Sequence, residues 1–143
     1  MTNKKLTPVE ICYNEEETQI FEKFFVDKHG IKQGEYICYY ENGKPELVEN
    51  YNDGELHGKW TEYYENGNTR IKGNYKDGKE DGKWTEYYEN GSIELVENCK
   101  NGEGHGKWTW YDEDGKPERE QNYKDRNIGL LEQLFINLKS IWR

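Results

Sequence analysis

Ten residues, GKWTEYYENG, occupy Gly58–Gly67 and return unchanged at Gly82–Gly91. The step between them is 24 residues, and it reaches well beyond the identical decapeptide. Gly34, Gly58, Gly82 and Gly106 keep it, as do Tyr36, Trp60, Trp84 and Trp108. So do Tyr39, Tyr63, Tyr87 and Tyr111, and Gly43, Gly67, Gly91 and Gly115. Near the end of each unit stand Tyr51, Tyr75, Cys99 and Tyr123, followed by Gly54, Gly78, Gly102 and Arg126. Units in series without an insertion specify a repeat architecture, in which each unit packs on its neighbours.

Each unit reads as a β-hairpin. KWTEYY is rich in aromatic and β-branched residues, as strands are. Asn-Gly follows at 42–43, 66–67 and 90–91, and is read here as a two-residue turn with positive φ at both positions. A second run (ELVENY, TRIKGNY, IELVENC) leads to another Asp-Gly or Asn-Gly turn. No connection is long enough for a crossover helix, so neighbouring strands must be antiparallel. The expected fold class is mainly β: an open, single-layer antiparallel meander of 24-residue hairpins with a C-terminal amphipathic helix. Eight strands would make a sheet about 38 Å wide, with much of both faces wet. Alternation sends Trp60, Glu62 and Tyr64 to one face and Lys59, Thr61 and Tyr63 to the other. Repetition then builds rows of Trp and rows of Tyr across the sheet.

Composition sharpens the picture. Of 143 residues, 32% are hydrophobic and 34% charged, with a mean hydropathy of -1.28, which alone would suggest disorder. Aromatics at 15%, including 12 Tyr, and regularly spaced glycines argue for a folded sheet with a thin core. The net charge of -9 is uneven: residues 1–56 carry 12 acids against 6 bases, while residues 105–143 carry 7 of each. An acidic surface argues against direct contact with nucleic acid or anionic membrane and suits a basic partner; plain solubility is the alternative reading. Three cysteines, Cys12, Cys38 and Cys99, without a CxxC, suggest neither a disulfide framework nor a zinc ribbon. Reduced thiols, with no signal-peptide-like start and no membrane-spanning run, give a cytoplasmic expectation.

The ends differ from the middle, which divides the chain into residues 1–33, 34–127 and 128–143. In the first segment, Tyr13 to Phe25 matches Tyr64 to Tyr75 loosely, as a degenerate hairpin or cap. The competing reading is a helix with Asn14 as its cap and Ile20, Phe21, Phe24 and Phe25 on one face. In the last segment, Leu131, Leu134, Phe135, Leu138, Ile141 and Trp142 fall on one helical face. Such a helix would cap the last hairpin, pair with its copy or dock a partner; capping, in a monomer, is favoured.

The unit G-K-W-T-E-Y-Y-E-N-G … N-Y-K-D-G-K resembles the bacterial MORN-variant repeat, and most of all the YwqK-family antitoxins. The resemblance covers Gly34 to Lys124. It implies a passive scaffold for protein or lipid contacts, the silencing of a co-encoded toxin, and no catalytic residue set or cofactor.

The chain's own chemistry agrees. His57 and His105 share a repeat position but lie about 19 Å apart on such a sheet, too far to share a metal. Paired carboxylates fall in turns and exposed positions, and the glycines match no phosphate-binding loop. No catalytic, metal or cofactor residue is therefore assigned. The candidate partner-binding residues are Glu41, Glu46, Glu49, Trp60, Tyr64, Trp84, Tyr88 and Trp108. Those of the expected cap or docking helix are Leu131, Leu134, Phe135, Leu138 and Trp142. The function read from all this is a non-enzymatic antitoxin or immunity protein that occludes a basic toxin. The alternatives are a glycan- or choline-binding module with aromatic cages, or a general scaffold.

Overall fold

The computed structural model describes residues 5–12 and 20–126. Twelve strands form one sheet. They are β1 (Thr7–Cys12), β2 (Ile20–Val26), β3 (Gly34–Tyr39), β4 (Pro45–Asn52), β5 (Glu55–Leu56), β6 (Gly58–Tyr63), β7 (Thr69–Lys76), β8 (Lys79–Glu80), β9 (Gly82–Tyr87), β10 (Ile93–Lys100), β11 (Glu103–Tyr111) and β12 (Pro117–Arg126). The order follows the chain from β1 to β12, with the two-residue strands β5 and β8 pairing only with β4 and β7. The pairings between named strands are all antiparallel.

One part of the expected fold class is corrected. The described residues hold strands and turns and no helix, so they support the antiparallel meander of the expected fold class and not its amphipathic C-terminal helix. Its residues, Leu131, Leu134, Phe135, Leu138 and Trp142, lie outside the described residues, as do positions 13–19 of the N-terminal segment. Ile20–Val26, where hairpin and helix were both open, is a strand paired with β1 on one side and β3 on the other. Its five apolar residues alternate with too few polar ones to settle a period, and strand neighbours on both sides decide the outcome.

The turns reverse the expected assignment. Asp53-Gly54, Asp77-Gly78 and Asn101-Gly102 have positive φ at both residues, the two-residue hairpin geometry. At the Glu-Asn-Gly turns only the glycine is left-handed: Gly43 has φ 80°, while Asn42 does not have positive φ. There Gly43 N–H donates to the Tyr40 carbonyl (2.9 Å) and Tyr40 N–H to the Lys44 carbonyl (2.9 Å), a three-residue loop. The Asn42 side chain serves the turn differently, with its oxygen accepting from Lys44 N–H at 2.9 Å. Asn66 and Asn90 do the same for Asn68 and Ser92.

Register carries the repeat across the sheet. One transverse row runs Glu22, Cys38, Leu47, Glu62, Ile71, Glu86, Leu95, Trp110, Arg119. The row one residue along, which alternation sends to the opposite face, runs Lys23, Ile37, Val48, Thr61, Lys72, Thr85, Val96, Thr109, Glu120. The Trp positions share the first face, and the core sits there. Trp84 is 3% exposed and Trp108 2% exposed. Trp60 and Trp84 lie 5.4 Å apart, Tyr75 and Trp84 5.2 Å, and Trp108 and Tyr123 4.4 Å between ring centroids. These offset and edge contacts add to the burial of large ring areas, which is how a chain so poor in aliphatics keeps a core.

One glycine makes that row possible. Gly73 is the cross-strand partner of Trp60, and a Cβ there would lie 2.1 Å from Trp84 Cδ2. The Trp84 ring therefore rests on bare backbone. In the preceding repeat the same position is Glu49, whose carboxylate accepts the Trp60 indole N–H at 3.1 Å. With glycine there instead, the buried Trp84 Nε1 has no acceptor.

Candidate protein-binding rim

Successive repeats are bonded to each other at fixed points. Tyr40 Oη donates to the Tyr63 carbonyl (2.5 Å), Tyr64 Oη to the Tyr87 carbonyl (2.6 Å) and Tyr88 Oη to the Tyr111 carbonyl (2.8 Å). Along the same edge, Asn42 Nδ2 donates to the Glu65 carbonyl (3.1 Å) and Asn66 Nδ2 to the Glu89 carbonyl (3.3 Å). The opposite edge has its own series: Gly54 N–H to the Lys32 carbonyl, Gly78 N–H to Leu56 and Gly102 N–H to Glu80. These turns are thus held by the neighbouring repeat as well as by their own strands.

The consequence is a row of carboxylates. Glu41, Glu65, Glu89 and Glu113 occupy the same position in four consecutive three-residue loops, and all four are exposed. Two strands separate one from the next, which sets a spacing of about 10 Å. The Glu65 and Glu89 carbonyls are held by the bonds above, which leaves that part of the rim little backbone ordering entropy to lose in a contact.

The other expected contact residues fall into different environments. Glu46 occupies the extra residue of a bulge opposite Cys38 and Tyr39, with Cys38 Sγ 3.7 Å from its carboxylate. Burial first, then the Glu46 charge, pushes the Cys38 thiol up. Glu49 accepts from Tyr51 Oη (2.7 Å) and Trp60 Nε1, so its charge is committed inside the sheet. Trp60 is half-buried in the ring stack, and Tyr64 and Tyr88 spend their hydroxyls on the inter-repeat bonds. Trp84 and Trp108 present almost no surface and act in the core. Of the eight residues, Glu41 alone stands on the rim. Glu65, Glu89 and Glu113, equivalent to Glu41 by the period, were not among the expected residues.

The aromatic face also carries an acidic interior. Glu97, cross-strand from Trp84, is half-buried, and its carboxyl is pushed up to about 8 by burial first and then by Glu86 and Glu80. Glu80 is raised by burial, and Tyr75, beside it, is raised to about 12 by burial and by the Glu80 charge. Burial followed by Glu97 and Glu80 raises the Cys99 thiol, which keeps it protonated and unreactive. No group of three or more His, Cys, Asp or Glu is arranged to hold a metal among the described residues. No helix of the described residues is long and apolar enough to cross a membrane.

The MORN repeat variant matches residues 32–53, 56–77, 80–101 and 104–125, four copies at the 24-residue step. The chain belongs to the MORN repeat variant family. Its repeats are therefore those of a non-enzymatic module of the kind that generally binds proteins or membranes. Among curated proteins, none matches the chain. In MORN repeat terms, the matched unit opens at Lys32, Leu56, Glu80 and Gly104, and the first three copies close at Asp53, Asp77 and Asn101, the first residue of the Asp-Gly or Asn-Gly turn.

Proposed function

We propose that this MORN repeat protein captures a basic protein on its acidic rim, and that it acts as an antitoxin or immunity protein covering a basic toxin one to one. The supporting observation is the row of exposed glutamates, Glu41, Glu65, Glu89 and Glu113, the first three on loops locked to each other by side-chain bonds. A stiff row of like charge steers an oppositely charged partner and suppresses wrong ones. The protein acts as a monomer in the cytosol, where Cys12, Cys38 and Cys99 remain thiols.

The test is affinity purification of the full chain from its native cells, followed by a titration of whatever copurifies. A basic protein is expected at one copy per chain, inactive in the complex and active once separated. A neutral or acidic partner, or a basic partner whose activity persists in the complex, contradicts the proposal.

A further inference from the structure

The position that opens each matched unit holds Lys32, Leu56, Glu80 and Gly104 in turn. In the first unit the Lys32 ammonium lies 4.2 Å from the Tyr36 ring centroid, 4.9 Å from Tyr51 and 5.0 Å from Phe24. The rings are arranged around it, with Phe24 and Tyr36 centroids 5.9 Å apart and Tyr36 and Tyr51 6.3 Å apart, the latter pair nearly edge-on. Three ring faces within 5.0 Å of one ammonium make an aromatic cage for a cation. Carboxylates add to it: Glu49 accepts from Tyr51 Oη, and the Glu22 and Glu49 charges both bear on the Tyr36 phenol, which burial and Glu22 hold high.

We propose that the slot between Phe24, Tyr36 and Tyr51 is a site for small alkylated ammonium ions, held closed by the Lys32 side chain. Two observations separate the plug from the fold. The loop carrying Lys32 is anchored by its main chain and by the next residue. Lys32 O accepts from Gly54 N–H (3.0 Å), while Gln33, 7% exposed, bonds Asp53 through both ends of its amide (2.6 and 3.2 Å). The ammonium can therefore leave by side-chain rotation with the loop in place. The repeat also accepts other residues at this position, including an apolar one and a glycine. A primary ammonium is strongly hydrated, whereas an alkylated one gives up less water to enter a ring cage. Such an ion competes with Lys32, and the competition is against an intramolecular ligand of high effective concentration. The unplugged site should consequently bind at least about tenfold more tightly than the native one.

The experiment titrates the full chain with tetramethylammonium chloride, with sodium chloride at equal ionic strength as the control. It follows the aromatic ring and lysine methylene NMR signals in the wild type, in Lys32→Ala and in Lys32→Ala/Tyr36→Leu. Saturable shifts of the Tyr36 and Tyr51 rings in Lys32→Ala, at least tenfold weaker in the wild type and lost in the double variant, are the expected result. If Lys32→Ala does not fold, the wild type decides alone. Its Lys32 ε-methylene protons should be shifted upfield by the rings and return toward solvent values as tetramethylammonium is added. Equal responses in Lys32→Ala and the double variant, or unshifted ε-methylene signals that ignore the titrant, overturn the proposal.

Discussion

Glu97→Gln should make the protein more stable at pH 8 and leave it nearly unchanged near pH 4. The wild-type carboxyl is held at about 8 in the folded chain, raised by burial and by Glu86 and Glu80, against an ordinary value of 4.5. Below about pH 4.5 both the folded and the unfolded chain carry the proton, and the group has no effect on stability. Between 4.5 and 8 the unfolded chain ionises while the folded chain keeps its proton, so stability falls as pH rises. Above 8 both are ionised, and the full cost of a buried charge is present. A shift of this size corresponds to a loss on the order of 3–5 kcal/mol across that window, with the exposed part of the side chain favouring the lower end. Glu62 and Glu80 are raised as well, mainly by burial, and add to the same slope. Urea midpoints at pH 4.5, 6, 7 and 8 test this. The wild type should lose stability steadily across the series, and Glu97→Gln should flatten most of the decline. A wild-type profile that rises toward neutrality would contradict it.

Gly73→Ala should be among the most damaging single-methyl additions in the chain. The new Cβ would meet Trp84 Cδ2 at 2.1 Å and Cε2 at 2.3 Å, atoms at the centre of an indole held between Trp60 and Tyr75. The ring cannot yield without opening the stack, so overpacking of about 3 kcal/mol is expected. Trp84→Ala alone should cost about 3–5 kcal/mol through the void it leaves. Combining the two separates this clash from any intrinsic preference of the strand. With the indole gone, Gly73→Ala should cost nothing or stabilise slightly, since alanine suits a strand better than glycine. A penalty that persists in the Trp84→Ala background would place its origin in the backbone.

The period and the meander were legible because both depend on spacing, and spacing survives translation into strands without knowledge of what packs where. The strongest turn signal was legible too, but its geometry was misread. Asn42, Asn66 and Asn90 use their side chains to close the loop, and the left-handed pair belongs to Asp53-Gly54 and its equivalents. Glu97 and Glu49 lie in the same ELVEN context, and nothing local shows that one is raised by burial and then by Glu86 and Glu80 while the other accepts from Trp60. That difference arises from how deeply each carboxyl is buried and from groups 11 to 17 residues away in sequence. Lys32 was invisible for a similar reason: it precedes Gly34, where the repeat was taken to begin, and its cage is assembled from three strands. The expected contact residues included tryptophans because large aromatics are common hot spots of interfaces. The same size puts Trp84 and Trp108 in the core, and the rim is left to small turns bearing glutamate.

The central claim is that the repeat exists to hold a row of rim charges at constant spacing for a basic partner. Glu41, Glu65, Glu89 and Glu113 changed together to Gln, in the full chain, test it directly against the purified partner by stopped-flow association. At low salt the association rate should fall by about tenfold or more, the wild-type and variant rates should converge as salt rises, and the urea midpoint should not drop. An unchanged association rate at low salt, with the partner still bound, would contradict the account.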